Sequence, residues 1–264
     1  MVVFIPRILG ILMINIDIYP RHEDFEHLLD LYPLQPANKF LPNWYKEVKI
    51  TQRIDDQGFD PKPAHAKRCP AIQNEISEGY IIPSWTDVFV EIKDGEVYMS
   101  ASIGNINDLG PSSWSWIQHH TPGQIQQMNL NTPTKFGIFK LVSPYYFVTT
   151  PGYGLSFRPL PYHLNQHLRI LPGTVETDIW HETNFPFEFV QDLTVTKGTK
   201  FFIEAGEPLA VLTPYKKNEK SILTNHKYDS NMLQSQYKNT KELFSYSSNW
   251  KKYSKIHSKK TEEE

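Results

Sequence analysis

The sequence predicts a mainly β protein: a single β-rich core with a short N-terminal helix and a helical C-terminal segment. Three observations predict it. From Cys69 onward, apolar residues recur with the period of two that half-buried strands require. The runs are short and follow one another at the close spacing of a sandwich, barrel or related core. Twenty prolines among 264 residues argue against a mostly helical chain, because proline lacks the amide donor and breaks helix interiors. Hydrophobic residues make up 39% of the chain, enough to build a core.

Each element follows from its residues. Residues 1–18 are apolar, but Pro6, Arg7, Asn15 and Asp17 interrupt them. The longest uninterrupted run, Ile8 to Ile14, is too short to span a bilayer. No basic stretch precedes a small-residue cleavage site, so no secretory signal is expected. The first twelve residues read as an extension that adds little to the fold, and MINIDIYP from Met13 as a short strand. Phe25, Leu28, Leu29 and Tyr32 fall on one helix face within residues 21–32, and Pro33 and Pro36 end that helix. A proline-bounded turn then leads to Trp44 and Tyr45. Residues 51–66 read as a polar loop in which Asp55, Asp56 and Asp60 face water.

Next come GYIIPSW, DVFVEIKDG and EVYMSASI. The last two form a hairpin around Lys93-Asp94-Gly95, where glycine supplies the positive φ of a tight turn. Residues 104–123 are irregular and carry Trp114, Trp116, His119 and His120. FGIFKLV, YYFVTT, GLSFRPL, GTVETDI, FPFEFV, TVTKGTKFFI and PLAVLTPY then read as strands. Residues 230–256 set Leu233, Tyr237, Leu243, Phe244, Trp250 and Tyr253 among lysines, the texture of one or two amphipathic helices. The organisation expected is a lead-in over 1–66, a β core over 67–216 and a lysine-rich helical tail over 217–264 with a disordered end.

The net charge of −2 gives no global attraction to nucleic acid or acidic membranes. It hides an asymmetry: residues 216–264 hold 11 Lys and 6 acidic residues, a net of +5, so the remainder carries −7. The basic tail with its tyrosines and Trp250 could contact phosphates and stack bases, but a solvated amphipathic helix is the commoner cause of such a pattern. No membrane partner is expected, nucleic acid is not favoured, and homo-oligomerisation stays open. The single cysteine, Cys69, excludes an intramolecular disulfide and suits a reducing compartment. It reads as a half-buried residue at a strand start.

Several stretches together resemble one family: PANKFLPNWYK (36–46), KRCPAIQNEISEGYIIPSWTDVFVE (67–91), TTPGYGLSFRPLPYH (149–163), ILPGTVETDIWHETNFPFEF (170–189) and FFIEAGEPLAVLTPYKK (201–217). It is the family of uncharacterised phage and bacterial proteins catalogued as DUF6065. That resemblance implies a phage or phage-derived origin and no particular activity. Within it, GTVETDIW followed by IEAGEPLAVL is similar to the β-clip core of trimeric dUTPases and dCTP deaminases. By that likeness Glu176 stands at the pyrimidine-site aspartate, Asp178 at the second aspartate, and Trp180 at or one beyond the tyrosine. Gly206 to Leu212 matches the later turn, with Pro208 replacing its arginine. The phosphate-binding arginine-serine-glycine motif and the glycine-rich C-terminal lid have no counterpart here. The departures fall on the phosphate-handling groups.

The candidate site lies along residues 153–163 and 173–181, with Arg158, His163, Glu176, Asp178 and His181 as its polar groups. Buried charges need partners or a ligand, so Arg158 is expected either to pair with Glu176 or Asp178 or to bind with them. His163, His167 and His181 lie close to these carboxylates, yet no His-x-Asp or His-x-Glu occurs, and His181 and Glu182 should face opposite ways on a strand. No metal and no cofactor is expected. The reading is a phage-type accessory protein in the cytoplasm of the infected cell, binding a small molecule or a protein. An enzyme on a β-clip or cupin-like core and a virion structural component are the alternatives.

Overall fold

The structure is a computed structural model that describes residues 13–47, 67, 69–93, 96–102, 115–120, 138–162, 168–189 and 199–245. The expected extension over 1–12, the loop over 51–66 and the tail end lie outside them. The chain forms two compact units, Met1–Pro36 with Gly79–Glu219 and Ala37–Glu78 with Lys220–Glu264.

The first unit is mainly β and holds three antiparallel sheets. In the first sheet, β1 (Ile16–Pro20), β7 (Phe139–Thr149), β11 (Glu182–Phe189) and β9 (Leu168–Ile170) lie side by side, and β6 (Ile117–His119) also pairs with β7. The second runs β10 (Gly173–Val175), β8 (Tyr153–Pro159), β13 (Pro208–Lys216), β3 (Tyr80–Pro83) and β2 (Gln35–Pro36). The third runs β12 (Thr199–Ile203), β4 (Asp87–Lys93) and β5 (Glu96–Ser102). β4 and β5 pair antiparallel from Asp87–Ser102 to Lys93–Glu96, as the predicted hairpin requires; its turn residues Asp94 and Gly95 lie outside the described residues.

Alternation sorts each strand's side chains. On β4, Val88 and Val90 are fully buried while Phe89 is exposed. The outer face of that sheet carries Phe89, Tyr98 and Phe202 with a Lys200–Glu91 ion pair at 3.1 Å. Residues 21–32 form a 3-10 turn (Glu23–Phe25) running into α1 (Glu26–Leu31), and the predicted face is the buried one: Phe25 and Leu28 are fully enclosed. The His22 ring accepts the Asp24 amide at 3.2 Å and caps this entry. The core joins these residues to Ile82, Trp85, Tyr145, Phe147, Leu155, Phe185 and Leu212. Trp85 stands at its centre, 5.8 Å from the Phe185 ring and 6.4 Å from that of Tyr145.

FGIFKLV and YYFVTT, expected as two strands, join from Phe139 to Thr149 as one continuous β7, the first two residues of the run lying outside the described ones. Pro144 has no amide to give, and the sheet accommodates it at a bulge: β11 shifts register between Glu182 and Asn184 just opposite. The Pro144 carbonyl still works, accepting the Arg21 amide at 2.8 Å. GTVETDI departs the other way. Its strand stops at Val175, and residues 176–180 turn, with the Ile179 and Trp180 amides both donating to the Glu176 carbonyl. Thr and Asp side chains compete for backbone groups in this way and favour turns.

The second unit has, among its described residues, a 3-10 turn (Ala37–Lys39), α2 (Asn43–Glu47), α3 (Pro70–Glu75) and α4 (Ser230–Ser245). Cys69 opens α3 and not a strand. Pro70 sits at the first helical position, where a missing amide costs nothing. Lys67 lies over the Tyr45 ring at 5.5 Å and donates to the Lys46 carbonyl.

Candidate functional site

The site is assembled by two turns and one strand end of the first unit. The turn after β7 places Gly152 at φ +86°, a conformation that favours glycine. The turn after β10 presents Glu176, Thr177 and Asp178. Strand β13 pairs with β8 in a register that sets Lys216 opposite Tyr153, so Lys217 arrives beside Gly152. The Lys217 amide then donates to the Gly152 carbonyl at 2.8 Å.

Lys217 is the centre of the site. Its ammonium lies 2.7 Å from Glu176 Oε2 and 2.9 Å from Asp178 Oδ1. Asp178 Oδ2 accepts the Gly152 amide at 2.9 Å. The Lys217 and Asp178 side chains are only 10% and 11% exposed, whereas Glu176 is 58% exposed. Asp178 therefore carries the buried half of the pairing and Glu176 the wet half. The Lys217 hydrogen bond, then the Gly152 amide, hold the Asp178 carboxyl below its ordinary range. Hydrogen bonds to Glu176 and then Asp178 push the Lys217 ammonium up.

A threonine pair lies under this network. Thr149 Oγ1 donates to the Tyr153 carbonyl at 2.8 Å, which commits its only proton. Thr177 Oγ1 is therefore the donor in the 2.9 Å contact between the two hydroxyls. His181 Nδ1 lies 2.9 Å from the Thr177 carbonyl, and a carbonyl only accepts, so Nδ1 carries the proton. Above this framework Ile179 and Trp180 stand out, 70% and 63% exposed.

The structure thus brings together Glu176 and Asp178, with His181 on the same turn. The cation beside the two carboxylates is Lys217. Arg158, the partner expected for them, sits on β8 opposite Val211. His163 and His167 lie outside the described residues. His181 and Glu182 do diverge, His181 to Thr177 and Glu182 to Arg21 at 3.1 Å. The sequence pointed to Gly152 as a place of close backbone approach, but Lys217, Thr149 and Thr177 were not singled out. A terminal Lys-Lys after an apolar strand was the available signal, but only the β8–β13 register shows which carboxylates it meets.

Arg21 builds a second polar cluster at the β7 bulge. It donates to the Ser143 carbonyl, pairs with Glu182 and lies 5.1 Å from the centre of the Tyr146 ring. Asn184 bridges Glu182 and the Ser143 amide. The Trp116–His120 stretch is strand-bound: Trp116 packs on Phe25 at 5.3 Å, and His119 faces Phe139. Burial, then Lys140 and His119, lower the His120 pKa. Among the described residues no group of His, Cys, Asp and Glu could hold a metal ion, and no helix is long and apolar enough to cross a membrane.

The pH dependence of stability tests the network. Asp178 titrates lower when folded than when unfolded, so its stabilisation is present above about pH 3.9 and is lost as pH falls through the folded value. Lys217 titrates higher when folded, so its share is present below about pH 10.4 and is lost as pH rises through the folded value. Asp178→Asn is expected to melt well below the native protein at neutral pH. The gap between the two should close at acid pH, and a gap independent of pH would refute the assignment.

By its sheets the chain is a mainly β protein. No protein-family model matches it, and no curated protein does. Among solved structures, a dUTPase of Staphylococcus bacteriophage 80alpha is 12% identical. That match covers 58% of this chain and 79% of the other, with a TM-score of 0.31. A likeness of that size carries no argument about function.

Proposed function

We propose that this is a non-enzymatic binding protein that engages a protein partner through the Ile179–Trp180 tip. The observation that carries the reading is how the site divides its groups. The carboxylates that could act as a base or hold a cation are occupied by Lys217, while two large apolar side chains above them face water. A general base works best with a pKa near the operating pH, and Asp178 is held the other way. Tryptophan is enriched among the few residues that dominate binding energy. A tip already fixed by hydrogen bonds loses little freedom on binding. The motif resemblance supports a phage-type accessory role, acting in the cytoplasm of an infected cell.

The test pairs two variants. Ile179→Ser with Trp180→Ser should keep the native melting temperature and lose a partner that the native protein retains from infected cells. Asp178→Asn should lower stability first. A stoichiometric metal in the purified protein, or a specific thermal shift with one nucleotide, would overturn this reading in favour of an enzyme. Presence of the protein in purified particles would make it a virion component.

A further inference from the structure

The network beneath Ile179 and Trp180 sets two carboxylates, Glu176 and Asp178, against one ammonium, Lys217. Three of the four carboxylate oxygens are engaged. Lys217 holds Asp178 Oδ1 at 2.9 Å and Glu176 Oε2 at 2.7 Å, and the Gly152 amide holds Asp178 Oδ2 at 2.9 Å. Glu176 Oε1 has no partner among the described residues, and its side chain is 58% exposed. Other acids beside the turn are matched: Glu182 by Arg21 at 3.1 Å and Glu219 by Lys216 at 3.9 Å. Asp17 is exposed and has no ion-pair partner among the described residues. The chain ahead of Lys216 carries a net −7, so the imbalance at the tip has the sign of the surface around it.

A partner that covers Trp180 also covers these two acids. The Trp180 amide donates to the Glu176 carbonyl at 2.8 Å, so both belong to one turn. Asp17 lies opposite Val148 on one edge of β7, and on the other edge the Phe147 amide donates to the His181 carbonyl. Two strand spacings, about 10 Å, separate Asp17 from that stretch. A specific interface covers about 800 Å² per partner, a patch roughly 30 Å across. Water solvates Glu176 and Asp17 in the free protein. A partner seated on Trp180 strips that water, and a carboxylate buried without a counter-charge is costly. A nucleic acid would bring phosphates against these acids, and a second copy presenting the same tip would bring the same charge. On the reading that Ile179 and Trp180 bind a protein, we infer that this protein seats Trp180 in an apolar cleft rimmed by lysine or arginine, which pairs with Glu176 and Asp17.

The probe is the protein that the immobilised full chain retains from infected cells, eluted and measured against full-length variants at rising salt. Salt screens exposed charges beyond about 10 Å at 0.1 M. Association with the native chain should therefore slow on the order of tenfold between about 0.05 and 0.5 M NaCl. Glu176→Gln should slow association roughly threefold or more at the lower salt and flatten the salt dependence. Its melting temperature should stay within a few degrees of the native one, because an exposed ion pair contributes little. Glu204→Gln, the same charge change on the exposed loop after β12, should alter neither. The chain with Ile179→Ser and Trp180→Ser should not bind at any salt. If that chain still binds, the tip is not the contact and both readings fall. If it does not bind while Glu176→Gln keeps the native salt dependence, only the basic rim is overturned, as it is by association that quickens with salt. Retention of nucleic acid, or of nothing, overturns both.

Discussion

Trp85→Ala is expected to cost about 3–5 kcal/mol, the range for deleting a large buried aromatic. Trp85 is 1% exposed and touches rings from two different strands, Tyr145 on β7 and Phe185 on β11. Its own backbone setting is rigid. The Ser84 amide donates to the Glu207 carbonyl at 2.7 Å, the Gly206 amide donates to Ser84, and Ser84 Oγ donates to the Thr86 carbonyl. Neighbours held in this way collapse little into a cavity, and the cost rises with the volume left open. The melting temperature should fall by roughly 10 °C. Thermal unfolding followed by calorimetry checks it, and a shift of only a degree or two would remove Trp85 from the centre of the core.

Gly79→Ala is the second large effect. Gly79 has φ +84° and immediately precedes β3, which lies against β13. Two penalties add there. A left-handed conformation costs an alanine about 1–3 kcal/mol. The added methyl would also strike the Leu212 carbonyl and come within 2.7 Å of Thr213 Oγ1, both on β13. A backbone carbonyl in a ladder cannot swing aside as a lysine tail can. The expected loss is more than about 2 kcal/mol, read as a lower denaturation midpoint with an unchanged slope. At Gly152 the same change meets open space, so only the conformational penalty applies. Gly152→Ala should therefore be the milder variant, and the reverse order would refute this account.

The strands were legible because their faces differ. On β4, Val88 and Val90 are buried while Asp87, Glu91 and Lys93 are not, and Phe25 and Leu28 mark the buried side of α1. What was not legible was set by distant partners. Pro144 reads as a break, and only the β7 bulge opposite Glu182 and Asn184 shows how one strand passes through it. Arg21 reads as the start of a helix, yet it reaches across to Ser143 and Glu182. In the candidate site, Glu176 and Asp178 stood out as two acids two residues apart. Their cation did not, because Lys217 is 39 positions beyond Asp178 and arrives by strand pairing. Arg158 was the nearer basic residue in the sequence. In the fold, nearness follows sheet order.

The same sheet order governs when this protein can fold. Strand β1 waits for β7, β4 for β12 and β3 for β13, in each case a partner more than a hundred residues further on. Long-range pairing must meet its loop-closure entropy before any contact rewards it, which makes folding slow. During synthesis the emerging chain can close neither the second nor the third sheet until residues 199–217 leave the ribosome. The N-terminal strands therefore spend most of translation with unpaired edges, the condition in which nascent β proteins aggregate or recruit chaperones. A chain halted before β13 would be a degradation substrate and not a smaller working version. Slower elongation over the last fifth of the message should change the soluble yield little, whereas loss of those codons should abolish it.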